Sequence, residues 1–351
     1  MIGPACGREP GHRRRSAGEE AFFRAPSGTG PYRLVERKPG ESLRLEAWDG
    51  YWGARPAFRR AELRFVVDEK AMWKAAEERR TAIVVGPTSR SFKLKQGLKG
   101  FRFLIRPGLA VQFLTAAMQP GRKLADVRVR RALLAALDRR SLAENVLTGG
   151  AFAASQFVSP GIVGYNPNLA VPPFERGKAR RLLAEAGHPD GIGLTLTVVE
   201  GAHRLADEIV RQLGAEGIEV TRVPVPARDM YERGRLCTED LALTGWICST
   251  GDGAELLEGA FGHGPEPAAH GEGALACGYR SPRLAELIDR IARTLEPRAR
   301  QRLLQESMAL LMEDVPWFPL FVGDDRYAVS EEVVWEPRPD SEVYLPDVRP
   351  K

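Results

Sequence analysis

The pattern of apolar and polar positions along the chain changes between the two-residue period of strands and the longer period of helices. Residues 32–36 and 43–47 alternate and are separated by a Pro-Gly turn, which predicts a β-hairpin. The same criteria predict further strands at residues 63–67, 82–85, 101–106, 111–117, 194–199, 218–223 and 241–246. They predict helices at residues 71–79, 178–186, 202–214, 228–233, 281–295 and 297–314. Strands and helices that alternate at this spacing indicate a parallel sheet covered by helices.

The strongest helical pattern lies at residues 126–140. Its apolar residues recur at three- and four-residue spacing and form one stripe, which consists of Val129, Leu133, Ala136 and Leu137. The arginines that fall mostly outside this stripe are Arg128, Arg131, Arg139 and Arg140. Asp126 is placed to cap the first turn, because its carboxylate can accept hydrogen bonds from free N–H groups. A second, short helix is expected to begin at Ser141, with Glu144 completing a capping box, and to end at Gly149.

Composition indicates a globular protein that is large enough for two domains. The chain has 351 residues, of which 43% are apolar, and its 51 basic residues outnumber 46 acidic ones only slightly. The basic run Arg13–Arg15 lies in a Gly- and Pro-rich leader and indicates a disordered tail at residues 1–23 more than a nucleic-acid-binding arm. No stretch approaches the roughly 18 apolar residues of a membrane span.

The sequence contains no motif typical of an enzyme. It has no nucleophile elbow, no Walker A loop and no dinucleotide-binding fingerprint after a strand. The one grouping with metal-ligand chemistry is His263, His270 and Cys277, but its spacing matches no closed zinc site and it lies in a glycine-rich loop. The sequence therefore predicts no catalytic residue, no metal and no cofactor.

Residues 126–140 resemble the signature of the family 5 extracellular solute-binding proteins, which are the peptide-, nickel- and sugar-binding receptors of ABC importers. Four further stretches resemble the family in the same order, at residues 28–53, 158–169, 178–191 and 314–321. The resemblance covers about Arg24 to Trp335. It implies an α/β, two-lobe, periplasmic-binding-protein-like (type II) fold with ligand held between the lobes.

The resemblance also implies how the chain divides. Residues 109–315 are expected to form one complete α/β lobe, and residues 24–108 with 316–351 part of the other. Relatives carry an export signal and a long first segment before the motif that begins here at Gly28, whereas residues 1–20 lack a signal peptide's apolar core. The chain is therefore expected to be an N-terminally truncated member of a periplasmic or extracellular family.

Two functions remain open at this point. The first is a solute-binding subunit of an ABC importer, a monomer that captures peptides or a related small solute and delivers it to permease subunits at the membrane. It would not be an enzyme, would not span the membrane and would bind no nucleic acid. The alternative is a cytoplasmic scaffold or regulatory fragment that retains one lobe of the fold.

Residues 244–253 resemble the family's ligand loop, in which an acidic residue pairs with the α-ammonium group of a peptide. Ser249 occupies the first acidic position, and Asp252 keeps the second. Trp246, Ser249 and Asp252 are therefore the predicted ligand-binding residues, with Asp252 pairing with a cationic group on the solute. Because glycine lies on either side of Asp252, the alternative is that it only forms a turn.

Four cysteines are present, and two of them flank a long loop. Because some relatives carry a cysteine pair in this neighbourhood, Cys248 and Cys277 are expected to form a disulfide in an exported protein. The alternative is two free thiols. Cys237, which precedes a predicted strand, is expected to be buried.

Overall fold

The computed structural model describes residues 26, 28–146, 150–201, 203–230, 235–262, 276–338 and 340–351. The predicted tail at residues 1–23 and the two loop histidines, His263 and His270, lie outside these residues. The chain forms two compact units. Unit 1 comprises the chain up to Arg106 together with Asp325–Lys351, and unit 2 comprises Pro107–Asp324. The division into a complete lobe at residues 109–315 and a partial lobe stays a prediction.

Twelve strands and nine α-helices are present in the described residues. The strands are β1 (Tyr32–Lys38), β2 (Ser42–Ala47), β3 (Arg60–Arg64), β4 (Ile83–Val85), β5 (Phe101–Ala116), β6 (Ala151–Ala153), β7 (Ile192–Val199), β8 (Ile218–Val225), β9 (Leu241–Ile247), β10 (Trp317–Ser330), β11 (Val333–Val334) and β12 (Arg349–Pro350). The helices are α1 (Glu69–Glu77), α2 (Ser89–Lys95), α3 (Val127–Ala136), α4 (Arg139–Ser141), α5 (Lys178–Glu185), α6 (His203–Ala215), α7 (Ala254–Phe261), α8 (Pro282–Arg293) and α9 (Pro297–Asp314). Short 3₁₀ turns lie at Lys123–Ala125, Arg235–Cys237 and Leu345–Asp347.

Unit 1 contains a three-stranded antiparallel sheet in the order β1-β2-β3, which confirms the predicted hairpin. The strand predicted at residues 63–67 is wrong in its bounds, because β3 ends at Arg64, opposite the first residue of β2. Residues 65–67 run past the end of β2, and Val67 is 99% exposed. Helix α1 then begins at Glu69 and is capped by Asp68, whose carboxylate accepts hydrogen bonds from the backbone N–H groups of Lys70 and Ala71.

Unit 2 is built on a sheet in the order β10-β5-β9-β7-β8, with the short strand β6 paired to β10. Strand β7 is parallel to β8 and β9, but β9 is antiparallel to β5, and β6 is antiparallel to β10. The predicted parallel sheet is therefore wrong for half of the unit, and the sheet is mixed. The two strands predicted at residues 101–106 and 111–117 form the single strand β5, which includes Pro107 and Gly108.

Two apolar cores cover the two faces of this sheet, as successive residues of β5 show. Leu114 and Ala116 belong to one core, which helices α3, α5 and α6 complete. Val111 and Phe113 belong to the other, which helices α7, α8 and α9 complete. In that second core the rings of Phe113 and Trp317 stack with their centroids 4.4 Å apart. Alternate strand residues thus point to opposite faces, and both faces are buried.

The signature segment joins α3 to the end of α9. Asp126 caps α3 as predicted, by accepting a hydrogen bond from the N–H of Arg128 at 2.8 Å. Arg130 is buried and donates to the carbonyl oxygens of Asp314 at 2.8 Å and Val315 at 2.9 Å. A cation at the carbonyl end of a helix offsets the partial negative charge there. Arg130 therefore fixes where α9 ends.

Arg139 lies inside unit 2, contrary to the expectation that it falls outside the apolar stripe. Only 2% of it is exposed, and it donates to the carbonyls of Pro319 at 2.6 Å, Leu137 at 2.9 Å and Leu134 at 3.0 Å. Burial lowers the pKa of the Arg139 guanidinium to about 9. The side chain is buried because strand β10 brings the Pro319 carbonyl to it from a distant part of the sequence.

The predicted capping box at Ser141 is wrong. The cap is Asp138, whose carboxylate accepts a hydrogen bond from the N–H of Ser141 at 3.0 Å, so α4 begins at Arg139. A π-helical turn at Leu142–Val146 continues it, and the predicted end at Gly149 lies outside the described residues. Other helix limits are confirmed, since Ser281 accepts from the N–H of Leu284 at the start of α8 and Gly187 follows α5 with a φ of 91°.

Candidate functional site

The segment that follows β9 carries the three predicted ligand-binding residues. Strand β9 ends at Ile247, and residues 248–253 connect it to helix α7. Because β7 and β9 are parallel, the loop lies at the carboxyl end of two neighbouring strands. Ligands of open α/β sheets bind outside such strand ends.

Trp246 is half-buried and packs against the core on the α7 side of the sheet. Its indole lies on Gly259 of α7 so closely that a β-carbon there would be 2.6 Å from the ring. The buried Nε1–H has no hydrogen-bond partner among the described residues. The structure thus uses Trp246 to pack α7 against β9, and its contact with a solute stays a prediction.

Ser249 is exposed, and its hydroxyl donates to Glu255 at 3.3 Å. Thr250 donates to the same carboxylate twice, from its N–H and from its hydroxyl, at 2.8 Å each. Glu255 lies in the first turn of α7, where a negative charge is favourable. Sequence reasoning missed Glu255, although an acidic residue directly after the start of a helix is the usual signal for such a contact.

Asp252 has both carboxylate oxygens bonded within the protein. Oδ1 accepts from the N–H of Ala254 and Oδ2 accepts from Nε of Arg300, each at 2.8 Å. Arg300 also donates to the carbonyl of Ile291 at 2.7 Å, and the bond to Asp252 raises the pKa of Arg300. The observed contacts are those of a turn residue that is also paired with an arginine. Pairing with a cationic solute, the other alternative, stays a prediction.

The two glycines beside Asp252 bring the loop against an irregular segment of unit 2. The N–H of Val163 donates to the carbonyl of Gly251, and the N–H of Gly253 donates to the carbonyl of Val163, both at 2.9 Å. A β-carbon at Gly253 would be 3.0 Å from that Val163 carbonyl. The backbone of the loop therefore approaches the backbone of Val163 closely at these glycines.

The predicted disulfide between Cys248 and Cys277 is wrong. Cys277 is bonded to Cys237, with their Cα atoms 5.1 Å apart, and Cys248 is a free thiol. Cys248 points into the core beneath α7, and its burial raises the pKa of the thiol to about 12. Cys277 lies beside the turn at Arg235–Cys237, and its carbonyl accepts from the N–H of Met118 at 2.7 Å.

No three His, Cys, Asp or Glu side chains of the described residues come together in a group that could hold a metal ion. None of the described helices is long and apolar enough to cross a membrane.

The sequence was compared with known proteins. The family model described as "Bacterial extracellular solute-binding proteins, family 5 Middle" matches residues 9–267. The dipeptide-binding protein of Escherichia coli K12 is 25% identical over 234 residues, covering 65% of this chain and 44% of that protein. The glutathione-binding protein GsiB of Salmonella paratyphi A is 26% identical over 309 residues, covering 85% of this chain and 59% of that protein. The chain spans about half the length of the curated relatives it matches.

A solved structure has the same fold. HbpA2 from Haemophilus parasuis superimposes with a TM-score of 0.81 at 21% identity, covering 97% of this chain and 68% of that one. This likeness confirms the predicted α/β, periplasmic-binding-protein-like fold. The relatives are binding proteins of transporters and not enzymes. The family model covers well over half of the sequence, and the chain belongs to the family 5 bacterial extracellular solute-binding proteins.

Proposed function

We propose that this chain captures a short peptide or a related small solute for an ABC importer. The family match over residues 9–267 carries the proposal, because it fixes the class of protein. Two of the relatives, the dipeptide-binding and the glutathione-binding protein, have names that state a solute built on peptide bonds, whereas the name of a third states heme. A solute of this class offers amide N–H and carbonyl groups, which polar side chains at strand ends can recognise.

The place of action is outside the cytoplasm. The family is extracellular. The disulfide between Cys237 and Cys277 supports an oxidising compartment, because the reducing systems of the cytoplasm keep cysteine pairs as free thiols. In that compartment the chain would hand its solute to permease subunits in the membrane.

The direct test is calorimetry of the purified chain with Ala-Ala, Ala-Ala-Ala and glutathione, with free alanine and glucose as controls. We expect one of the three peptides to bind with a dissociation constant in the micromolar range, about −8 kcal/mol. At a concentration of 100 times its dissociation constant, the same peptide should raise the free energy of unfolding by about 2.7 kcal/mol. Absence of heat and of thermal stabilisation with all three peptides at millimolar concentration would contradict the proposal.

Delivery to a permease requires a second test in the source organism. Deletion of the gene should abolish uptake of the radiolabelled peptide that the chain binds, and the gene supplied in trans should restore it. Wild-type uptake in the deletion strain would separate solute binding from transport, and would favour the alternative of a scaffold without a transport role.

A further inference from the structure

Along one face of β5 and β9 a buried core gives way to an open surface. Leu114 lies opposite Leu243, and both are buried in the core beneath α3. The next pair on this face is Gln112 and Gly245. One pair further on, at the end of β9, Ile247 is 59% exposed. Gln112 therefore lies at the boundary between the buried part of this face and its solvent-exposed end.

The carboxamide of Gln112 rests directly on Gly245. A β-carbon at Gly245 would be 2.5 Å from Nε2 and 2.9 Å from Cδ of Gln112, which is closer than real β-carbons come. Glycine at this position thus leaves the space that the carboxamide occupies. The side chain is held flat on the sheet by the backbone beneath it.

This carboxamide is half-buried, and it forms no hydrogen bond to any part of the chain that the structure describes. It therefore keeps two N–H donors and one carbonyl acceptor available for another molecule. Because the side chain is only half-buried, water reaches these groups in the free protein and a solute can replace that water. A peptide bond offers the matching carbonyl acceptor and N–H donor.

The position of Gln112 agrees with that of ligand sites in sheets of this kind. Strands β7, β8 and β9 are parallel to one another and end on the same side of the sheet, at Val199, Val225 and Ile247. Ligands bind beyond the carboxyl ends of such strands. Gln112 lies on β5, which is antiparallel to β9. Its partner Gly245 is two residues before the end of β9, so Gln112 lies near the carboxyl ends of the parallel strands.

We propose that Gln112 is a solute-binding residue, with its carboxamide donating to a carbonyl and accepting from an N–H of a peptide bond in the solute. Ile247 contacts an apolar part of the same solute. This inference rests on the proposed function and adds to it the class of group that unit 2 recognises, the neutral amide. Gly245 supports the site by leaving room for the carboxamide.

Calorimetry with Ala-Ala-Ala and Ala-Ala tests the assignment on the whole chain. Replacing Gln112→Leu keeps the size of the side chain and removes its hydrogen bonds, so affinity for both peptides should fall by about 3- to 10-fold. Gln96→Leu, the same change at an exposed glutamine of unit 1, should leave affinity unchanged. Gly245→Ala should also lower affinity although Gln112 is retained, because the new methyl would lie 2.5 Å from Nε2 of Gln112 and 2.9 Å from the backbone carbonyl oxygen of Val111.

Thermal unfolding of each variant shows whether a loss of affinity reflects binding or folding. Reduced affinity with an unchanged melting temperature supports the assignment. If Gln112→Leu melts at a lower temperature than the wild type, Gln112→Glu serves as the second variant. It keeps nearly the same shape but loses both N–H donors, and it should also bind the peptides more weakly. If Gln112→Leu and Gln112→Glu both bind peptides with wild-type affinity, the role of Gln112 is overturned and the proposed function is not. Absence of peptide binding by the wild-type chain would overturn the proposed function together with it.

Discussion

Nε of Arg300 donates a hydrogen bond to Oδ2 of Asp252 at 2.8 Å, and this contact joins the loop after β9 to the first turns of α9. About a quarter of each side chain is exposed. The same arginine donates to the end of α8 at Ile291, so one guanidinium holds three segments together. The loop that the sequence marks for ligand binding is therefore fixed from within the protein.

Replacing Asp252→Asn should lower the free energy of unfolding by about 1 kcal/mol, because the amide keeps the turn but loses the charge that faces Arg300. Urea unfolding measures this loss. Asp289→Asn is the matched control, since Asp289 is exposed and has no ion pair among the described residues.

Both carboxylate oxygens of Asp252 are already bonded within the protein, so the turn alternative predicts that Asp252→Asn changes the affinity for cationic and neutral peptides equally. Calorimetry with Ala-Ala-Ala and its N-acetylated form compares the two classes, because acetylation removes the only cationic group of this peptide. A selective loss for the cationic peptide would favour the original prediction that Asp252 binds the solute's charge.

The disulfide predicts a specific peptide map. Non-reduced digests of the folded protein should contain a peptide that links Cys237 to Cys277 and an unlinked peptide with Cys248. Closing a loop with a sequence separation of 40 residues stabilises the native state by about 4 kcal/mol in the chain-entropy model. Cys237→Ser should lose about that much, and Cys248→Ala should leave the linked peptide in place. A peptide joining Cys248 to Cys277 would refute the assignment.

Alkylation of Cys248 should depend steeply on pH and on unfolding. Burial raises the pKa of this thiol to about 12, so in the folded protein the thiol is protonated throughout the neutral range, and the reactive thiolate forms only as the pH rises towards that value. Iodoacetamide at pH 8 should therefore leave Cys248 unmodified in the native protein but should modify it in urea. Rapid labelling at pH 8 without denaturant would show that the thiol is accessible.

Arg139→Met should lower the free energy of unfolding by more than about 2 kcal/mol, because the carbonyls of Leu134, Leu137 and Pro319 lose a charged donor. The neighbouring Arg140 is exposed, so Arg140→Met should change stability by less than about 0.5 kcal/mol. Urea unfolding of the two variants makes the comparison. Equal stability of the two would mean that the buried guanidinium contributes nothing.

Limited proteolysis should cut unit 1 before unit 2. Residues 65–67 form an exposed apolar run beside the sheet of unit 1, and Phe65 is a chymotrypsin site that is 53% exposed. The two large cores lie in unit 2, whose strands and helices cover each other. Mass spectrometry of timed digests should therefore find early cleavage after Phe65. Equal resistance of the two units would contradict the expectation that the lobe at residues 109–315 folds alone.

Local patterns in the sequence determined much of the fold. The cap at Asp126, the helix start at Ser281 and Pro282, and the β1–β2 hairpin all follow from contacts between residues a few positions apart. Such contacts leave a periodic or turn-specific signal that can be read along the chain. The order of family-like stretches likewise identified the family, which the comparison confirmed.

Contacts between distant segments were decided only by the tertiary structure. The sequence could not indicate that the Pro319 carbonyl would accept a hydrogen bond from Arg139 or that Arg300 would pair with Asp252. Nor could it indicate that Cys237 would be bonded to Cys277. Each partner is brought close by the packing of strands and helices that are remote in sequence, and no local period records that proximity. The antiparallel pairing of β5 with β9, which places Gln112 on Gly245, arises in the same way.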